Sequence, residues 1–62
     1  MSPKKILIVD DSPVVLRALS MKLKSNGYAA ITAEDGASAV SLARREKPDL
    51  ILLDVSLYAA YR

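Results

Sequence analysis

The chain has 62 residues, room for one small domain, and a domain of this size buries only about 60% of the surface its unfolded form exposes. Cysteine and histidine are both absent, which excludes disulfides and thiolate metal sites and fits a reducing, cytoplasmic setting. Hydrophobic residues make up 52%, too many for a disordered chain, and the net charge of +2 comes from scattered Lys and Arg rather than a basic stripe interleaved with aromatics. No nucleic-acid contact through this segment is therefore expected.

The first predicted element is a strand over about 5–9. Ile6-Leu7-Ile8-Val9 is a short apolar run rich in β-branched residues, the pattern of a strand covered on both faces. Asp10 and Asp11 end it too early for a signal peptide, and no run reaches the ~18 apolar residues of a membrane span. Lys4 and Lys5 read as solubilising residues ahead of the strand.

A helix is expected over about 13–26. Ser12 is a suitable N-cap, and Pro13 suits the first helical position, where no amide donor is needed. Val15, Leu16, Leu19 and Leu23 share one helical face, and Gly27 stands where helices commonly end in a left-handed residue. A weaker strand follows over about 28–33, carried by Ile31 and Thr32.

Asp35-Gly36 opens a second helix over about 36–46, with Asp35 as cap and Ala39, Val40 and Ala43 as its inner face. Arg44, Arg45 and Lys47 gather near its C-terminus, where the helix dipole favours cations, and Pro48 stops it. Leu50 to Leu53 is a second fully apolar run, expected as a buried strand over about 50–54.

The order is thus β-α-β-α-β, an α/β fold. Helices between strands force parallel pairing through crossovers. Placing the weak second strand at an edge gives sheet order 2-1-3, the opening part of the flavodoxin-like arrangement. In such sheets ligands bind beyond the carboxyl ends of the strands, at the point where strand order reverses. Asp10 and Asp11 follow strand one and Asp54 follows strand three. Clustered carboxylates repel one another unless a cation offsets them, and a hard divalent ion such as Mg²⁺ takes oxygen ligands of this kind. A carboxylate beside such an ion can also attack phosphorus. The plainer reading of Asp-Asp before a helix is capping. Asp54 at the matching end of the matching strand tips the balance towards a site.

Three segments in this order resemble bacterial response-regulator receiver domains: Ile6-Leu7-Ile8-Val9-Asp10-Asp11-Ser12, Ala33-Glu34-Asp35-Gly36 and Lys47-Pro48-Asp49-Leu50-Ile51-Leu52-Leu53-Asp54. The resemblance runs over about residues 4–57 and includes Gly27-Tyr28. It implies a phospho-accepting module of a two-component phosphorelay rather than an enzyme, with Asp54 as phospho-acceptor. It further implies Mg²⁺ held by Asp10, Asp11, Asp54 and the backbone carbonyl of Ser56. The donor would be a phosphohistidine on a sensor kinase or phosphotransfer protein, since this chain has no histidine.

The chain departs from the family where a proline usually stands four positions after the acceptor and a glycine eight after, which here are Tyr58 and Arg62. Against the family pattern, 1–62 reads as the N-terminal half of a receiver, without the later hydroxyl and lysine that contact the phosphoryl group. Switching would then be impaired. The apolar third strand would have a free edge and invite homodimerisation, with Leu57-Tyr58-Ala59-Ala60-Tyr61 as a possible docking tail. The reading from a different class is therefore a half-domain assembly unit with little phosphotransfer. A nucleotide or flavin site is disfavoured because the first βα turn, Asp-Asp-Ser-Pro, is not glycine-rich.

Overall fold

In the computed structural model, which describes residues 3–53, the elements are β1 (Lys5–Val9), α1 (Pro13–Ser25), β2 (Ala29–Ala33), α2 (Gly36–Glu46) and β3 (Leu50–Leu53). The three strands form one parallel sheet in the order β2-β1-β3, as the pattern of apolar runs predicts. Lys5 to Val9 pair with Ala29 to Ala33 on one side, and Ile6 to Val9 pair with Leu50 to Leu53 on the other.

β1 is the centre of the molecule, and its alternating side chains build two small cores. Ile6 and Ile8 face α1, where Leu16 is buried against them and Leu23 and Ala30 complete the cluster. Leu7 and Val9 face the opposite side, where Ala33, Ile31, Ala39, Leu42 and Ala43 close over them. The helices therefore lie on opposite faces of the sheet, and an all-apolar central strand is what such a three-layer arrangement needs.

The helix ends follow local chemistry. The Ser12 hydroxyl accepts the Val15 N–H at 3.4 Å, and Pro13 opens α1. At its far end Gly27 has φ +88°, its N–H donates to the Lys24 carbonyl at 3.1 Å, and the Tyr28 N–H donates to the Leu23 carbonyl at 3.0 Å. That pair of bonds is a Schellman closure. It also explains why β2 begins at Ala29, one residue later than expected, because the Tyr28 amide belongs to the helix end. The Asp35 carboxylate caps α2 by accepting the Ser38 N–H at 2.7 Å. α2 ends on Lys47 in the left-handed region (φ 48°), since Pro48 disfavours a helical residue before it.

Two packing expectations are corrected. Val15 and Leu19 are exposed, so the seal of α1 is made by Leu16 and Leu23. Val40 is exposed too, and Leu42 takes its place on the inner face of α2. The larger correction concerns β3, expected to be buried on both faces. Its four residues are 36–52% exposed. Among the described residues both helices pack over β1 and β2 and neither over β3, which lies at an edge of the three-stranded sheet. Apolar grooves flank it on each face, one beside Ile6, Leu23 and Tyr28, the other beside Leu7, Val9 and Val40.

Candidate functional site

The carboxyl ends of the strands meet at one mouth of the sheet, where Val9 pairs with Ala33 of β2 and with Leu53 of β3. Asp10 is the next residue after Val9 and is 8% exposed, the one buried charged residue among those described. It is held from two sides. Its backbone N–H donates to the Ala33 carbonyl at 3.1 Å, extending the β1–β2 ladder by one bond. Its carboxylate Oδ1 accepts the Ser12 N–H at 2.8 Å, the side-chain turn that aspartate favours at the end of a strand. Asp10 is thus both buried and satisfied, as a buried carboxylate must be.

Asp11 follows in an exposed position at the same mouth. The two carboxylates offer oxygen donors without nitrogen or sulfur. That donor set suits a hard cation such as Mg²⁺ and disfavours zinc or copper. Among the described residues no three of His, Cys, Asp and Glu come together in a group that could hold a metal ion. Asp54, the expected acceptor, follows Leu53 in the chain. It lies outside the described residues, as do Ser56 and the segment 57–61.

Asp35 also follows the carboxyl end of a strand, but its chemistry is that of a cap. Hydrogen bonds from Ser38, the backbone N–H first, hold its carboxyl below the usual 3.8. The expectation of capping at this residue agrees with the hydrogen bond to Ser38.

One cluster was not foreseen in the sequence. At the opposite end of the sheet, Lys5 is not a merely solvated cation. Its ammonium reaches the Glu46 carbonyl at 3.1 Å and the Glu46 carboxylate at 3.5 Å. Its backbone N–H donates to Asp49 Oδ2 at 2.7 Å, while its carbonyl accepts the Asp49 N–H at 2.8 Å. The available signal was an aspartate between a helix-stopping proline and an apolar strand.

The comparisons with known proteins agree with this geometry. The response regulator receiver domain model matches residues 6–59. The alkaline phosphatase synthesis transcriptional regulatory protein PhoP of Bacillus subtilis is 52% identical over 54 residues, which are 87% of this chain and 22% of that protein. Protein PilH of Pseudomonas aeruginosa is 47% identical over 51 residues, 82% of this chain and 42% of PilH. The probable transcriptional regulatory protein TcrX of Mycobacterium tuberculosis is 47% identical over 55 residues, 89% of this chain and 24% of TcrX. The chain spans 22–42% of the length of these three relatives. With a parallel 2-1-3 sheet, an aspartate pair at its carboxyl mouth and a family match over most of its length, this chain belongs to the response regulator receiver domains of two-component systems.

Proposed function

We propose that the chain accepts a phosphoryl group on Asp54, with Mg²⁺ held by Asp10, Asp11, Asp54 and the backbone carbonyl of Ser56. The observation that supports this is the pairing of Val9 with Leu53. The residues that come next along these neighbouring parallel strands are Asp10 and Asp54, so the chain enters both carboxylates from the same end of the sheet. A buried, prefixed Asp10 beside an exposed Asp11 is a poor helix-solubilising device and a good half of a cation site.

The chemistry requires few parts. A carboxylate oxygen of Asp54 attacks phosphorus of a phosphohistidine on a sensor kinase or phosphotransfer protein. The new O–P bond forms as the P–N bond breaks, and the imidazole leaves with the electron pair and takes up a proton. Bound Mg²⁺ supplies positive charge that offsets the transferred group and the crowded carboxylates. The chain's own contribution is to keep Asp10 fixed by Ser12 and Ala33 and to leave Asp11 open to solvent and ion. Such a relay operates in the cytoplasm, where the kinase is charged. The chain's role is that of acceptor rather than enzyme.

The test uses Mg²⁺ and acetyl phosphate, with mass spectrometry of the intact chain and its peptides. One added phosphoryl group on Asp54, absent without Mg²⁺ and absent in Asp54→Asn, is the expected result. An unmodified Asp54 in a folded, Mg²⁺-saturated sample contradicts the proposal.

A second reading is favoured by the exposure of β3. An apolar edge strand exposed on both faces is a template for pairing with another chain. Two copies joined antiparallel through β3 would form a six-stranded sheet about a two-fold axis. Sedimentation velocity separates the cases. A concentration-dependent dimer supports assembly, and a sharp monomer at micromolar concentration excludes it.

A further inference from the structure

The register of β3 on β1 is weakly set by β3 itself. A one-residue slip in a sheet turns every side chain to the other face, and proteins usually penalise it by mixing polar and apolar positions. Leu50-Ile51-Leu52-Leu53 is apolar at every position, and all four residues are exposed, so a slipped strand would present much the same surface. Among the described residues, what distinguishes one register from another therefore lies at the ends of the strand.

At its entry, one residue carries a bond that works in one register. The Asp49 N–H donates to the Lys5 carbonyl at 2.8 Å, and the Asp49 carboxylate accepts the Lys5 N–H at 2.7 Å. The side chain here takes the role of a ladder carbonyl. Lys47 in its left-handed conformation and Pro48 direct the chain from α2 into this contact. The Lys5 ammonium ties down the end of the same helix through Glu46. Lys5 therefore holds both the exit of α2 and the start of β3.

We propose that Asp49 is a positioning residue for the acceptor: its two-way bond with Lys5 fixes the β1–β3 register and so the level at which the chain passes from Leu53 into Asp54. This rests on the reading of Asp54 as acceptor. A slip by one residue moves a strand position by about 3.3 Å and reverses its face. A Mg²⁺ ion with ligands at about 2.0–2.1 Å cannot be shared across such a shift.

The experiment compares the wild-type chain with Asp49→Asn, Asp49→Ala and Asp49→Glu. Asn retains an oxygen that can accept the Lys5 N–H. Ala removes it, and Glu keeps the charge but moves it by one methylene. Two readouts are taken: the rate of Asp54 phosphorylation by acetyl phosphate at saturating Mg²⁺, per folded molecule, and the interstrand nuclear Overhauser contacts between Val9 and Leu53. Asn should stay within about twofold of wild type, while Ala and Glu should be slowed about tenfold or more, as misplacement of a reacting group by about 1 Å can cost a hundredfold. The slowed variants should also lose or duplicate the Val9–Leu53 contacts. If Ala does not fold, Glu against Asn carries the comparison. Wild-type rates and contacts in Ala or Glu, or an Asn variant as slow as Glu, overturn the proposal. If the wild type takes no phosphate, the acceptor reading fails. The contacts alone then decide the role of Asp49: a shifted register in Ala or Glu but not in Asn supports it, and one register throughout overturns it.

Discussion

Asp10 is anchored before any ligand arrives, by the Ser12 amide on its carboxylate and the Ala33 carbonyl on its own amide. Asp11 is exposed and has no such restraint among the described residues, so on the proposed reading it is the more sensitive probe of cation binding. Loss of a group that only orients a ligand commonly costs 10- to 100-fold in metal affinity. Asp11→Asn should therefore weaken Mg²⁺ binding by about a hundredfold, measured by calorimetry, with little change in melting temperature. Asp35 answers to pH. Its carboxyl is held below 3.8 by the Ser38 amide, so its capping of α2 is present above that ordinary value. The contribution is lost as pH falls through the lowered folded value. Protection of the first-turn amides of α2, taken relative to their intrinsic exchange rate at each pH, should fall below pH ~3.8, and Asp35→Ala should remove that loss of protection. The capping role of Asp35 could be read from the residues, because it stands directly before Gly36 at a helix start. The partnership of Lys5 with Asp49 and Glu46 could not, since residues over 40 positions apart meet only through the sheet.

The elements themselves were legible because each ends on unambiguous punctuation. Ser12-Pro13, Gly27, Asp35-Gly36 and Pro48 mark four boundaries, and each is observed within a residue of its expected place. Gly27 offers a direct check. It sits at φ +88° with open space where a Cβ would lie, so substitution costs backbone strain and no steric clash. Gly27→Ala should destabilise the fold by about 1–2 kcal/mol, the penalty of a left-handed non-glycine residue, seen as a shift of several degrees in thermal unfolding. Burial of β3 was misjudged because an apolar run reports what a strand could bury, whereas actual cover depends on where the helices sit. Both lie over β1 and β2. The inner face of α2 was partly misread for a related reason: Val40 lies beside the groove over β3 rather than in the core, and Leu42 faces inward.

As a whole, the described molecule is one central strand, buried from Ile6 to Val9, with thin cover. The core on each face contains few large side chains, and Leu7 and Ile8 alone are almost completely inaccessible. Removing one of them should be decisive. Leu7→Ala deletes a wholly enclosed side chain, and such changes cost about 2–5 kcal/mol out of the roughly 5–15 kcal/mol typical of a folded domain. Circular dichroism should show the variant largely unfolded or melting far below the parent. The same thin architecture gives the acidic mouth its geometry, because a central strand locked on both sides is what brings neighbouring strands to a common end. Substituting Mn²⁺ for Mg²⁺ tests that shared mouth most directly, by paramagnetic broadening of backbone amide signals at substoichiometric metal. Amides of Asp10, Asp11 and Asp54 should broaden together, while Lys5 and Asp49 at the far end of the sheet stay sharp. Broadening that spares Asp54, or that centres on Asp35 or the Lys5 end, would contradict a single cation site between β1 and β3.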